Sequence, residues 1–299
     1  DPQPFQAEDQ RIRKALAGVE LAPSHPFVQL FRDWSDFCEV LEDLTEAHAV
    51  LWTPPGLLRI ACFDASSHLA GRFKALAGAA LFSATLKPFA YTQRLTGLPN
   101  ARCEEVPSPF PPEHRRVLVV PQVSTLYRKR AQEAPRIAEF LGRVLALRRG
   151  NYLVCFPSFE FLDQVHPLLD LPGFTLLAQP RRADAKTVQG ILATLRGQRG
   201  VVVLAVQGGS LSEGIDLPGE ALIGCVVVGP PLPPFDLPRR LARAHFDHTG
   251  GEGEATTTTY PAMARAIQAA GRVIRGPEER GLLVFLDGRF LEPAFACCF

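Results

Sequence analysis

Residues 201–219, VVVLAVQGGSLSEGIDLPG, decide the fold of this 299-residue chain. The first six residues form an unbroken apolar run rich in valine, which is typical of a strand buried on both faces of a parallel sheet. The four glycines that follow let the backbone approach a ligand closely. Ligands bind beyond the carboxyl ends of the strands in open parallel sheets, so the residues after Val206 form a candidate site.

Strands and helices alternate on both sides of this stretch. Continuous runs of valine, isoleucine and leucine predict strands, and segments with helical spacing of apolar residues predict helices. The alternation predicts an α/β fold with a parallel sheet and flanking helices. The further strands are predicted at 117–120, 152–156, 174–177, 223–228 and 282–286, the helices at 130–148, 159–169, 184–195 and 261–275, and a flexible surface loop at 249–259.

The first part of the chain has a different pattern. Residues 1–50 read as helices, one of them starting at Ser24-His25-Pro26. After them we expect two short strands joined by a turn, then a helix, then a short buried strand. The strands are predicted at 49–52 and 57–63, the helix at 66–76 and the buried strand at 79–82, and proline-rich residues 99–116 predict a linker.

Composition narrows the class of protein. The chain is 46% hydrophobic and 21% charged, which excludes wholesale disorder, collagen-like repeats and a coiled coil. No apolar run approaches the roughly 20 residues of a membrane span, and the first twenty residues do not resemble a signal peptide. None of the seven cysteines has zinc-site or redox spacing. We therefore expect a cytoplasmic protein with no membrane contact and no metal ligands in this chain.

The glycine-rich stretch after Val206 offers the first candidate site. Glu213 and Asp216 could meet a metal ion, a ribose or a neighbouring cation. No Gly-Lys-Ser/Thr sequence follows, so this is not a Walker phosphate loop. The alternative is a glycine-rich turn with no ligand.

A second candidate site lies near the end of the chain. Gln268 and Arg272 are four residues apart, and Arg275 follows three later, which predicts one shared face of the helix 261–275. Guanidinium groups bind phosphate oxygens with two parallel hydrogen bonds, so the pair suits a polyphosphate. Gly271 would let this helix pack tightly. A solvated basic stripe is the alternative, although Val273 and Ile274 fit it poorly.

Two further strand ends carry small hydroxyl side chains. Ser158 follows the predicted strand 152–156 and could cap the next helix or bind a phosphate. Ser83 and Thr85 follow the predicted strand 79–82 and could sense a phosphate or begin a turn.

Together these segments resemble the DinG/XPD (Rad3-like) family of superfamily 2 helicases, over roughly residues 50–290. Residues 59–66 resemble the segment that precedes helicase motif III. The motifs themselves follow in the family's order: Leu81–Leu86 resembles motif III, Leu153–Ser158 motif IV, Gly209–Gly219 motif V, and Gln268–Arg275, with Gly281 and Leu286–Phe290, motif VI and the strand after it.

The resemblance implies a RecA-like fold, the second of two motor domains that clamp ATP, and 5′ to 3′ movement on single-stranded DNA. It assigns Arg272 and Arg275 to the γ-phosphate as arginine fingers. The other roles it implies are nucleotide contact or bracing of the arginines for Gln268, Glu213, Gly214, Asp216 and Gly271, DNA phosphate binding for Ser158, Gly209 and Ser210, and coupling of ATP to DNA for Ser83 and Thr85.

The resemblance also implies a domain plan: 1–48 as the end of an arch insertion, 49–98 as the last part of the first motor domain, 99–116 as a linker, and 117–299 as the second motor domain. The sequence has neither a Gly-Lys-Ser/Thr loop nor an Asp-Glu-Ala-His box. We therefore expect the C-terminal portion of a bacterial cytosolic, monomeric helicase that does not hydrolyse ATP alone. ATP and Mg²⁺ would be bound mainly by the missing first domain, which would also hold the family's 4Fe-4S cluster.

Two other functions stay open at this point. The chain could be a naturally truncated, non-catalytic module whose arginines bind nucleic-acid phosphates, and then it should bind single strands in a salt-sensitive way. It could also be an unrelated α/β enzyme such as a nucleotide-sugar transferase. The sequence does not separate DNA from RNA as the partner, because a groove that tracks phosphates carries little sequence specificity.

Overall fold

In the computed structural model, which describes residues 3–211 and 219–299, six parallel strands form one sheet in the order β3-β8-β7-β4-β6-β5. This confirms the predicted α/β fold and all six predicted strands of the sheet. The strands are β3 (Arg115–Val120), β4 (Tyr152–Phe156), β5 (Thr175–Ala178), β6 (Val201–Val206), β7 (Gly224–Val228) and β8 (Gly281–Leu286).

Strand β4 shows why the apolar runs are continuous. All five of its residues are buried, and successive side chains point to opposite faces of the sheet. Leu153 and Cys155 pack in one core with Met263 and Ala266, whereas Val154 packs in the other core with Ile137. A central strand covered by helices on both faces needs apolar residues at every position.

The helices around this sheet lie close to their predicted positions. They are α5 (Arg130–Ala146), α6 (Phe159–Val165), α7 (Ala185–Gly197) and α9 (Tyr260–Ala270). The short helix α10 (Pro293–Ala296) was not predicted. Helix α6 ends before the predicted residue 169, and residues 166–168, which include Pro167, form a 3₁₀ turn instead. The proline removes a backbone donor and favours this early end.

The residues divide into two compact units. The sheet unit consists of Ala80–Gln93, Pro99–Pro234 and Glu254–Phe299, and the helical unit of Asp1–Ala79, Arg94–Leu98 and Phe235–Gly253. The units interleave along the chain. The assignment of sequence segments to motor domains, arch and linker stays a prediction.

The helical unit contains an antiparallel hairpin with helices before and after it. Its elements are α1 (Gln3–Leu16), α2 (Pro26–Glu42), β1 (His48–Thr53), β2 (Leu57–Cys62), α3 (Ser66–Phe73) and α8 (Leu237–Gly250), and α4 (Phe89–Thr96) begins in the sheet unit and ends here. The predicted start of α2 is confirmed, because the ring nitrogen of His25 accepts a hydrogen bond from the Phe27 amide at 3.2 Å. None of the helices in the described ranges is long and apolar enough to cross a membrane.

The predicted buried strand at 79–82 is wrong. Phe82 is 92% exposed and Leu81 is 47% exposed, and neither lies in a strand. A short apolar run becomes a strand only where a neighbouring strand takes up its backbone hydrogen bonds. None of the described strands pairs with this segment.

The predicted flexible loop at 249–259 is also wrong. Helix α8, which the sequence reading missed, extends to Gly250, and Gly251 ends it in the left-handed conformation with φ 76°. Residues Ala255–Thr259 then form a π-helical turn that continues into α9, and Thr256–Thr259 are buried. Threonine carries a hydroxyl group and is not counted as an apolar residue. Four buried threonines in a row therefore give no apolar periodicity in the sequence.

The Asn151 side chain joins three segments at the end of the sheet where the strands begin. Its side chain is fully buried and donates to the carbonyl oxygens of Leu195 and Gln198, both at 2.8 Å, and of Ala221 at 3.1 Å. Its Oδ1 accepts from the Val201 amide at 2.9 Å. One side chain thus joins the end of α7, the start of β6 and the approach to β7.

We predict that Asn151→Ala lowers the free energy of unfolding by about 3 kcal/mol or more, because it leaves several buried polar backbone groups without partners. Asn151→Asp should also destabilise, since it keeps the acceptor but lacks the amide donors. The exposed Asn100→Ala is the matched control and should stay within about 0.5 kcal/mol of the wild type in urea unfolding. Equal midpoints for the two alanine variants would contradict this role.

Candidate functional site

The candidate site lies along the edge of the sheet where the strands end. Parallel strands bring their carboxyl ends to one edge, so the segments after them converge. The residues at this edge follow β3 (Thr125 to Arg130), β4 (Ser158), β6 (Gln207 to Ser210) and β8 (Asp287 and Arg289).

Asp287 is the buried anion of this edge. Its Oδ2 accepts hydrogen bonds from the Thr125 amide and hydroxyl, both at 2.7 Å, and from Arg289 Nη2 at 2.8 Å. Its Oδ1 accepts from the Arg289 amide at 2.9 Å and from Arg289 Nε at 3.0 Å. Burial alone would raise the pKa of Asp287, but the hydrogen bonds from Arg289 and Thr125 hold that pKa below its usual value.

Ser158 caps helix α6 and also accepts a hydrogen bond from an arginine. Its Oγ accepts from the Phe161 amide and from Arg130 Nη1, both at 3.3 Å. The sequence reading named Ser158 and missed Arg130. A signal was present, because Tyr127-Arg128-Lys129-Arg130 combines an aromatic residue with three cations at the start of a predicted helix.

Gly209 lies in a tight turn after β6. Its amide donates to the Val206 carbonyl oxygen at 2.9 Å. A Cβ at this position would lie 2.7 Å from the Gln179 side-chain nitrogen and 2.9 Å from the Val206 oxygen, so only glycine fits. The adjacent Ser210 is exposed. The turn therefore places the Ser210 hydroxyl at the edge of the sheet.

The predicted helix 261–275 is wrong at its end, since α9 stops at Ala270 and Gly271 caps it. Gln268, Arg272 and Arg275 therefore do not share one helical face. Val273 is buried and leaves the helical path to pack against Gly281, where an added Cβ would collide with its side chain. The two arginines lie in the loop between α9 and β8.

Glu279 holds this loop, and the sequence reading missed it. Its Oε2 accepts from the Arg275 amide at 2.5 Å and from the Gly276 amide at 3.0 Å. Its Oε1 accepts from the amide of Gly219, the last of the four glycines that follow β6. One carboxylate therefore fixes the arginine loop and joins it to the end of that stretch.

The structure brings three of the predicted residues together. Gln268 Nε2 donates to Thr85 Oγ1 at 3.4 Å, and the hydroxyls of Thr85 and Ser83 are 3.2 Å apart. All three belong to the sheet unit. Glu213, Gly214 and Asp216 lie outside the described residues.

The donor set suits a phosphate-containing ligand better than a bare metal ion. The loop after α9 supplies two guanidinium groups, Arg272 and Arg275, which match the charge and geometry of phosphate oxygens. Across the described ranges, no group of three or more His, Cys, Asp and Glu side chains is placed to hold a metal ion.

Comparisons with known proteins agree on one family. A family model for the helicase C-terminal domain matches residues 141–297. A probable ATP-dependent helicase of Methanocaldococcus jannaschii is 28% identical over 302 residues, covering 93% of this chain and 45% of the relative. The ATP-dependent DNA helicase DinG of Photobacterium profundum is 28% identical over 230 residues, covering 72% of this chain and 32% of the relative.

The fold has a match among solved structures as well. An XPD helicase superimposes with a TM-score of 0.63 at 22% identity, covering 88% of this chain and 48% of that structure. This likeness concerns the fold and confirms the RecA-like architecture. The chain spans less than half the length of the two relatives described above.

We predict that the stability contributed by Asp287 depends on pH. A carboxylate with a lowered folded-state pKa stabilises the folded chain above its unfolded pKa, and this contribution disappears as the pH falls through the folded value. Asp287→Asn should therefore be much less stable than the wild type at pH 7, and the gap should shrink as the pH falls from about 5 toward 3. The exposed Asp170→Asn should keep the wild-type profile in urea unfolding. A constant gap between pH 7 and 3 would contradict the assignment.

We also predict that Glu279→Ala removes hydrogen-exchange protection from the amides of Gly219, Arg275 and Gly276, because their acceptor is lost. The neighbouring exposed Glu278→Ala is the matched control and should leave these amides protected. Retained protection in Glu279→Ala would show that other contacts fix the loop.

Proposed function

The chain belongs to the family of helicase C-terminal domains, and from that premise we propose that it is the second motor portion of an ATP-dependent DNA helicase that moves 5′ to 3′ on single-stranded DNA. The resemblance to the DinG/XPD family is confirmed by the family match and by relatives named as ATP-dependent helicases. The activity of the whole protein, its polarity and its substrate are proposals.

The hydrogen bond between Gln268 and Thr85 is the observation that carries the proposal. Gln268 lies in the last turn of α9, just before the arginine loop, and Thr85 is hydrogen-bonded to Ser83. A shift of the Ser83–Thr85 segment would therefore displace the Gln268 side chain, three residues before Gly271. This arrangement supports coupling between events at the nucleotide and events at the nucleic acid.

Arg272 and Arg275 are the proposed γ-phosphate ligands. Bound ATP would supply the phosphoryl group that is transferred to water. The guanidinium groups would stabilise the charge that develops on its oxygens, which is the role of an arginine finger. Glu279 would position them by holding the backbone of Arg275 and Gly276. Glu213, Gly214 and Asp216 are proposed to contact the nucleotide or to brace the arginines, and Gly271 ends α9 so that the loop can form.

The DNA backbone is proposed to bind along the carboxyl edge of the sheet. Ser158 and Ser210 would provide hydroxyl groups there, and Gly209 would form the turn that presents Ser210. Phosphate contacts need donors rather than groups that read bases. The β-phosphate, Mg²⁺ and a 4Fe-4S cluster are proposed to be held by the first motor domain of the same polypeptide, acting as a monomer. Among the described residues, no group of three or more His, Cys, Asp and Glu side chains could hold a metal ion.

The proposal predicts that Arg275→Ala, made in the full polypeptide, lowers the DNA-stimulated ATPase turnover by about 10³-fold or more, as expected for loss of an arginine finger. Binding to single-stranded DNA should remain near the wild-type level. Arg265→Ala, which removes an exposed arginine of the preceding helix α9, is the matched control and should keep normal turnover.

Unchanged ATPase turnover in Arg275→Ala would contradict the proposed arginine-finger role. Unwinding of partial duplexes tests the direction of movement separately. Duplexes with a 5′ single-stranded tail should be unwound and those with a 3′ tail should not. The reverse preference would overturn the proposed polarity and leave the arginine assignment standing.

A further inference from the structure

We propose that Tyr127 and Arg130 form a single-stranded DNA subsite at the carboxyl edge of the sheet, in which the Tyr127 ring stacks on a base and the Arg130 guanidinium binds a neighbouring phosphate. The inference rests on the proposed function for the presence of a DNA strand. It adds two residues, a base-stacking surface and a phosphate ligand, that neither the motifs nor the comparisons assign.

Tyr127 has an exposed ring in a basic segment. The residue is 82% exposed, whereas tyrosine is on average partly buried in folded proteins. Arg128 and Lys129 follow and are also exposed. The segment forms a short 3₁₀ turn, Tyr127–Lys129, just before helix α5, so the tyrosine is held on a fixed element. An exposed aromatic ring among cations is the arrangement on which unpaired bases stack.

Arg130 is held in place while keeping donors for a ligand. Its Nε donates to the Thr125 carbonyl oxygen at 3.2 Å, and its Nη1 donates to Ser158 Oγ at 3.3 Å. The guanidinium carbon lies 5.0 Å from the centre of the Phe161 ring and 5.5 Å from the centre of the Tyr127 ring. Its Nη2 group makes no hydrogen bond to the described residues. A guanidinium fixed in this way loses little side-chain entropy when a phosphate binds.

The charges around Arg130 leave room for an anion. Burial lowers the pKa of Arg130, and the positive charge of Arg289 lowers it further. Asp287 is committed to Arg289 and to Thr125. Glu160, whose charge acts on Arg130, shares Arg181 with Asp163, at 3.2 Å and 2.5 Å. These carboxylates hydrogen-bond to other groups and not to Arg130, so a phosphate can bind its guanidinium without displacing an internal ion pair.

The geometry favours a single strand over a duplex. A nucleotide carries its base and its phosphate on one sugar. The Arg130 guanidinium lies over one face of the largely exposed Tyr127 ring, which leaves the opposite face for a base. The faces of bases inside a duplex are covered by their neighbours, whereas an unpaired base can stack on an aromatic side chain. The contact to Ser158 also joins this subsite to the proposed phosphate track.

Binding of a fluorescein-labelled oligothymidylate to the full polypeptide, measured by anisotropy at several salt concentrations, tests the subsite. Tyr127→Ala should weaken binding about tenfold, the loss expected for one stacked base. The slope of log affinity against log salt should stay unchanged, because no phosphate contact is lost. Tyr127→Phe should bind like the wild type, since it keeps the ring.

Arg130→Gln should change the salt slope as well as the affinity. Loss of one phosphate contact should weaken binding and reduce the salt slope by about 0.7, the value for a single strand. Arg143→Gln, an exposed arginine on the same helix α5, is the matched control and should leave both affinity and slope unchanged. Arg130→Lys should keep the charge and most of the slope, which separates phosphate binding from a packing role.

The outcomes separate this inference from the proposed function. If the wild type does not bind oligothymidylate, the proposed function fails with it. If the wild type binds and Tyr127→Ala and Arg130→Gln bind equally well, the subsite is wrong and the helicase proposal stands. An Arg130→Gln variant with weaker binding, an unchanged salt slope and a lowered melting temperature would assign Arg130 to the fold alone and overturn its role as a phosphate ligand.

Discussion

The carboxyl edge of the sheet depends on one buried carboxylate, that of Asp287. It receives hydrogen bonds from Arg289 on its own segment and from Thr125 after β3. Thr125 in turn accepts from Arg130, which donates to Ser158 after β4. Three strand ends are thus connected in sequence, and removal of a charge from a buried pair is costly because the partner is left uncompensated. The edge that presents the proposed site is therefore fixed before any ligand arrives.

The parallel sheet was predictable because its physical signal is local. Each strand covered on both faces needs apolar side chains at every position, so β4 and β6 are visible as unbroken runs in the sequence. The motif residues were equally visible as residue types at fixed spacing. The contacts that organise them were not, because Thr125 and Asp287 are 162 residues apart and Gly219 and Glu279 are 60 residues apart. No local sequence pattern indicates pairs of residues so far apart in the chain.

Two of the predictions that were wrong, the helix end at 275 and the strand at 79–82, have a common physical origin. Spacing alone placed Gln268, Arg272 and Arg275 on one helix, but packing of Val273 against Gly281 ends that helix at Ala270. The run at 79–82 was apolar, yet none of the described strands pairs with it. In each case a tertiary requirement overrode a local preference, as intrinsic propensities allow. Glu279 was missed because two adjacent glutamates before a strand form no recognisable motif, and only the folded loop shows which of them accepts its backbone amides.

The π-helical turn at Ala255–Thr259 has a consequence for how α9 tolerates change in length. A π turn closes its hydrogen bond over five residues where an α-helix uses four, so it accommodates one surplus residue. Loss of one threonine can convert the turn to α-helix and leave the helical phase of α9 nearly intact. The same loss inside a regular helix rotates everything beyond it by about 100°. The threonine run can therefore lose one residue without changing the direction in which Gln268 projects from α9.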